Sequence, residues 1–301
     1  MPVDELSSAL RALEGIDSPP FDQVTEFLQL ARESRARLPE QIYKYGCLVL
    51  NKFASRLGVD ELWSLREDVT VAALLIGRIN EAWTLVEQIS RQFPDSARAS
   101  RLMAMHFEAT KDFSKAEELY KKELAKNPVN ATVLRRLVTI KEAQGDLGGA
   151  IQMIRGYLDI HLTDCWAWEH AASLYLRTGA FTQAVFCLEE VLLHQPGNIN
   201  VQLLLAETLY SAGGTANYET ARGYFSGIIE MTGGENTRAL YGVCACAAQL
   251  APGGKSKGSG RSGGKNELGG LAGEALRQQY AVKNGDKLSL VDAMLKGEGL
   301  M

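Results

Sequence analysis

The sequence predicts an all-α chain, a solenoid of stacked helix pairs, on three observations. Ala82, Ala116, Ala150 and Ala184 recur at steps of 34 residues. Gly145, Gly179 and Gly213 keep the same step, and Pro94, Pro128 and Pro196 fall 34 and then 68 residues apart. Three residue types in one register mark an internal repeat, and each has a physical task. Alanine lets paired helices close to about 8–10 Å. Glycine ends a helix in the left-handed conformation, and proline stops one by removing a donor and colliding with the preceding turn.

A period of 34 is that of the tetratricopeptide repeat, a helix–turn–helix unit, so about five repeats with terminal capping helices are expected. Residues 1–20 read as an N-terminal tail and 21–250 as the repeat solenoid. Phe21 to Arg37 and Glu40 to Leu57 form an off-consensus pair broken at Pro39, suited to shielding one end of the stack. Trp63 to Ser96 carries Val69, Ala73, Gly77, Ala82, Val86 and Pro94. Ala97 to Asn130 repeats the plan with Ala104, Phe107, Ala116, Tyr120 and Pro128. In Ala131 to Asp164, Lys141 stands where an aromatic residue is expected and Leu162 replaces the proline.

Cys165 to Asn198 is the best copy. Trp168, Ala171, Ala172 and Tyr175 fall on one helical face and read as core, as do Ala184, Leu188, Val191 and Leu192 on the second helix. The copy from Ile199 carries three extra residues before Ala221, placed by expectation in the turn Gly213 to Asn217, where insertions are tolerated. Arg238 to Leu250 reads as one more first-type helix. Residues 251–270 contain eight glycines among serines and basic residues and read as a disordered linker. Residues 271–301 read as capping helices that break at Asn284-Gly285.

Composition narrows the function classes. The 32 Lys+Arg against 36 Asp+Glu give a net charge of −4, which offers no global field for nucleic acid. Five scattered cysteines make no disulfide scaffold and fit a reducing compartment. No stretch approaches the ~18 apolar residues of a membrane span, and Asp4 and Glu5 stand where a signal peptide carries lysines. The expected location is therefore cytosolic.

No residue pattern supports catalysis. The Gly-rich segment lacks the strand and helix that frame a phosphate loop, and no serine sits in a nucleophile elbow. Cys244 and Cys246 lack a second ligand pair, and His161, Cys165 and His170 lack a fourth ligand. His106 and His194 read as exposed or hydrogen-bonded. The expectation is no catalytic residue, no metal and no cofactor.

In such repeats the first helices line a concave wall, the usual binding surface. Arg101 and Arg135 take equivalent positions on it, joined by Arg98, Arg136, Trp166 and Glu169. Arginines beside a tryptophan suit an acidic or aromatic-bearing peptide. Alternatively they pair with Glu108, Glu142 and Glu169 as a solvated charge network. The carboxylate clamp of chaperone-binding repeats needs Lys and Asn four apart, and the pairs here are Arg101/Met105, Arg135/Thr139 and Glu169/Ser173. A free co-chaperone or adaptor binding peptide tails in this groove is the alternative function.

Several stretches go beyond the generic repeat: Arg91 to Ser96, Arg101 to Thr110, Ala184 to Asn198 and Arg238 to Gly242, with the insertion near Gly214. Over about Phe21 to Leu250, and again in Leu288 to Leu295, the chain resembles subunit 2 of the endoplasmic reticulum membrane protein complex. The Gly-rich segment and the short tail depart from that family. The resemblance implies a non-catalytic scaffold, peripheral on the cytosolic face of the endoplasmic reticulum membrane. Its implied partners are the cytosolic parts of membrane-embedded subunits and a second soluble subunit. Its implied role is support of the insertion of tail-anchored and multipass proteins. It supplies no catalytic residue.

Overall fold

A computed structural model describes residues 2–16, 19–251, 263–298 and 300, and all regular structure among them is helical. Two compact units divide the chain, Met1–Asp146 and Leu147–Met301. The first contains α1 (Pro2–Leu13), α2 (Phe21–Glu33), α3 (Pro39–Lys52), a 3-10 turn (Ala54–Arg56), α4 (Val59–Leu75), α5 (Ile79–Gln92), α6 (Ala97–Ala109), α7 (Phe113–Lys126) and α8 (Ala131–Ala143). The second contains α9 (Leu147–Leu158), α10 (Cys165–Arg177), α11 (Phe181–His194), α12 (Ile199–Ala212), α13 (Thr215–Met231), α14 (Thr237–Leu250), α15 (Gly263–Lys283), a 3-10 turn (Gly285–Lys287) and α16 (Leu288–Gly297). First-type helices begin at 97, 131, 165 and 199, and second-type helices at 79, 113, 147, 181 and 215. Both series step by 34, and the tetratricopeptide solenoid fold holds.

Side-chain chemistry sets these boundaries. Ser96, Asn130 and Asn198 each accept a backbone N–H of the first turn that follows, satisfying a donor the helix leaves free. Asp164 stands in the same register but takes its hydrogen bond from the Tyr157 hydroxyl instead. At the other end, first-type helices close alike. Arg78, Asp112, Asp146 and Ala180 donate their N–H to Ala73, Phe107, Lys141 and Tyr175 carbonyls at 2.9–3.0 Å. Such a closure needs a left-handed residue just before the donor. Gly77, Gly145 and Gly179 supply it, with φ of 82°, 81° and 72°.

Lys111 occupies the same position with φ of 62°, a conformation that an L side chain resists. Lys111→Gly should therefore stabilise the chain by about 0.5 kcal/mol, relief of strain outweighing the extra freedom glycine gives the unfolded state. Gly179→Ala should cost about 1 kcal/mol. Urea denaturation reads both, and equal midpoints for the two variants would contradict the assignment.

The periodic alanines sit where the packing argument puts them: Ala82, Ala116, Ala150, Ala184 and Ala221 are all 0% exposed. Large side chains such as Phe27, Tyr120, Ile154, Leu188 and Ile228 are buried as well. Trp168 and Tyr175 differ from the expectation of core. Ala171 and Ala172 are buried, but both aromatics stay half-exposed. Lys141 is accommodated by charge, its Nζ lying 2.9 Å from Glu117 and 3.1 Å from the Gln144 amide oxygen.

Three boundaries need correction. Residues 1–20 are not merely a tail, because Pro2–Leu13 is helical, with Leu6 and Leu13 buried and the Tyr45 hydroxyl donating to the Leu13 carbonyl at 3.3 Å. A helix this short is marginal alone and owes its stability to packing.

The three extra residues before Ala221 do not lengthen the turn. The helix starts on schedule at Thr215 and runs for 17 residues, so it absorbs them.

Much of the expected linker 251–270 falls at 252–262, outside the described residues. Its last part, 263–270, belongs to α15, so the capping segment begins before 271. Here glycine serves close approach: a Cβ at Gly269 would lie 2.7 Å from the Ala247 Cβ, and one at Gly273 would lie 3.0 Å from Leu295. The Arg277 Nε bonds Asp292 at 2.7 Å and ties α15 to α16.

Candidate protein-interaction site

In the first unit three of the four predicted arginines engage two carboxylates. Arg98 and Arg101, in the first turns of α6, both reach back to Glu67 on α4, Arg101 at 2.6 Å. Glu67 and Arg101 are 34 residues apart, so this ion pair joins one repeat position to its counterpart in the next unit of the stack. Arg136 on α8 donates to Glu108 on α6 at 3.1 Å, and the other oxygen of Glu108 accepts the Tyr120 hydroxyl. Burial, and then the neighbouring carboxylate, push the Tyr120 phenol far up, so it stays a neutral donor. Arg135 lies half-buried beside Arg136.

Glu67 is the residue that sequence reasoning missed. The Arg136–Glu108 contact is among the pairings the sequence leaves open; the double pairing on Glu67 is not. Its signal is a spacing of 31, because Glu67–Arg98 recurs in the second unit as Glu207–Arg238, with contacts of 2.7–3.1 Å. Arg32 and Asp68 make a further bridge, between α2 and α4, at 2.5 Å. Burial raises the Asp68 carboxyl above its ordinary range despite the opposing pull of Arg32. Such half-exposed pairs contribute little stability each, and their consequence is to hold successive first-type helices in register.

In the second unit Trp166 and Glu169 occupy α10. Trp166 is partly exposed and meets the His170 ring edge-on at 4.9 Å, while Glu169 is exposed. His161 stacks on Tyr157 at 4.6 Å, so both histidines engage aromatic rings. Among the described residues no group of three His, Cys, Asp or Glu is placed to hold a metal ion. His106 departs from its expected exposure. It is buried against Trp83 at 4.6 Å, its Nδ1 has no hydrogen-bond partner, and burial lowers its pKa, which keeps the ring neutral.

Comparison with known proteins gives a consistent result. Residues 89–212 match the family described as the EMC2 TPR-like repeat domain. The chain is 33% identical over 231 residues to ER membrane protein complex subunit 2 of Xenopus tropicalis, covering 77% of each. It is 32% identical over 209 residues to the protein of the same name in Dictyostelium discoideum, covering 69% of this chain and 65% of that one. Among solved structures, the C-terminal part of a TPR repeat-containing protein from Cytophaga hutchinsonii superposes with a TM-score of 0.59 at 11% identity. That likeness covers 88% of this chain and 97% of the other, and it bears on fold alone.

Proposed function

The chain belongs to the family of ER membrane protein complex subunit 2, and from that premise we propose that it is a non-catalytic scaffold subunit of that complex. The observation that carries this reading is the identity sustained over 77% of both chains, far beyond one repeat motif. Its place is the cytosolic face of the endoplasmic reticulum membrane, where it binds the cytosolic parts of membrane-embedded subunits and a second soluble subunit. Its work is to support insertion of tail-anchored and multipass membrane proteins. Two features favour a peripheral scaffold. No helix among the described residues is long and apolar enough to cross a membrane, and charged side chains lie along the first-type helices of both units.

Within this reading Arg98, Arg101, Arg135, Arg136, Trp166 and Glu169 are the partner-contacting positions on the first-type helices. The test is affinity purification of the full chain from detergent-solubilised membranes. Membrane-embedded subunits should co-purify; heat-shock chaperones alone would favour the co-chaperone alternative. Washing membranes at alkaline pH should release the chain, and retention in the pellet would argue for a direct anchor.

The variant Arg101→Glu with Arg135→Glu should keep its helicity. It should lose partner subunits by about tenfold or more if the contacts are desolvated hydrogen-bonded pairs. Full recovery of every subunit would remove these arginines from the interface.

A further inference from the structure

We propose that the cavity framed by α9, α10 and α11 is a socket for an apolar side chain carried on a basic, helical segment of a partner protein. The cavity holds about 450 Å³, within the range of pockets that bind a compact group. Its apolar wall is Leu158, Trp168, Tyr175 and Phe186. Trp168 and Tyr175 lie on the face that periodicity assigned to the core, yet here that face opens to a groove. The indole is held in place, because its Nε1 donates to the Leu162 carbonyl at 2.8 Å. Its ring meets Phe186 edge-on at 5.9 Å. The polar edge of the tryptophan is thus satisfied and what remains facing the cavity is apolar and pre-set, so little ordering is needed on binding.

The surface around the cavity extends the apolar character. Phe186 is 55% exposed, and Leu193, two turns further along α11, is 75% exposed. A spacing of two turns matches the i, i+7 anchors of a helix laid in a groove.

Charge selects the occupant. Asp159 stands at the rim, and Glu189 and Glu190 flank Phe186 on α11; none of the three makes an ion pair among the described residues. Arg155 is the single basic group at the rim and suits the carbonyl end of a bound helix, where the partial charge is negative. Along the three helices that frame the cavity, residues 147–194, two arginines and no lysine stand against five carboxylates, which favours a basic segment.

The experiment uses the full chain and two fluorescein-labelled peptides, each about four turns long and built on Leu and Phe anchors. One carries lysines on its polar face and the other glutamates. The lysine peptide should bind by anisotropy, more tightly at low salt than at high salt. Phe186→Ser should weaken it about tenfold with unchanged far-UV circular dichroism, since the ring is exposed. Asp159→Lys with Glu190→Lys should reverse the preference toward the glutamate peptide, a readout that a merely structural role would not move. Equal binding of both peptides by the wild type would overturn the proposal, as would no binding or indifference to both variants. Self-association that Phe186→Ser abolishes would assign the socket to a second copy and overturn it too.

Discussion

Ala184→Arg lowers the stability of the second unit by about 4 kcal/mol and its melting temperature by about 8–16 °C. Ala184 is 0% exposed, in α11, which packs against both α10 and α12. Overpacking alone costs about 1–3 kcal/mol. A guanidinium buried without a partner costs about 3–5 kcal/mol, and partial escape of the long side chain toward solvent offsets some of the sum. Far-UV circular dichroism against temperature is the measurement. Ala184→Ser, nearly the same size and able to bond its own helix, is the control and should shift the melt far less. An arginine variant melting with the wild type would refute the close contact that the 34-residue alanine register implies.

The second large effect is expected in the first unit. A Cβ at Gly46 of α3 would stand 2.3 Å from Cγ2 of Val69 on α4, and Val69 is 0% exposed. Gly46→Ala should therefore destabilise by about 2 kcal/mol, although alanine is the better helix former by about 1 kcal/mol. Val69→Ala alone should also cost about 2 kcal/mol through the void it leaves. Combined, the two should be less harmful than their sum by about 1–2 kcal/mol, because each relieves the other. Urea denaturation of the four proteins closes the cycle, and strict additivity would show that the two helices do not meet as described.

Much of this architecture was legible because the repeat demands few residue types. Ala116 and Ala184 must be small, and Gly145 and Gly179 must turn left-handed; a single sequence displays those demands by repetition. The helix caps were equally legible, since Ser96, Asn130, Asp164 and Asn198 keep the 34-residue step, and reading them would have set the helix starts directly.

What escaped depended on tertiary contact. Leu6 and Leu13 show too short a stripe to announce α1 without the helix it packs on. Gly269 belongs to what resembles a flexible run until the neighbouring Ala247 explains why it has no side chain. In the candidate site, the arginine positions followed from the register, but Glu67 as their acceptor depends on how far a guanidinium reaches between helices. Trp168 had core periodicity and lacked only a neighbour to cover it.

Within each unit, packing joins elements that lie one or two places apart along the chain. Loop closure then costs little entropy at any step, and topologies of this kind fold fast. A ribosome adding about 5–20 residues per second delivers a new helix pair every few seconds, long compared with helix formation. Within a unit, each pair can settle on the one before it while the rest of the chain is still being made. Each unit thus shows one unfinished apolar edge at a time as it is made, and in the second unit α15 covers α14 before α16 packs on α15.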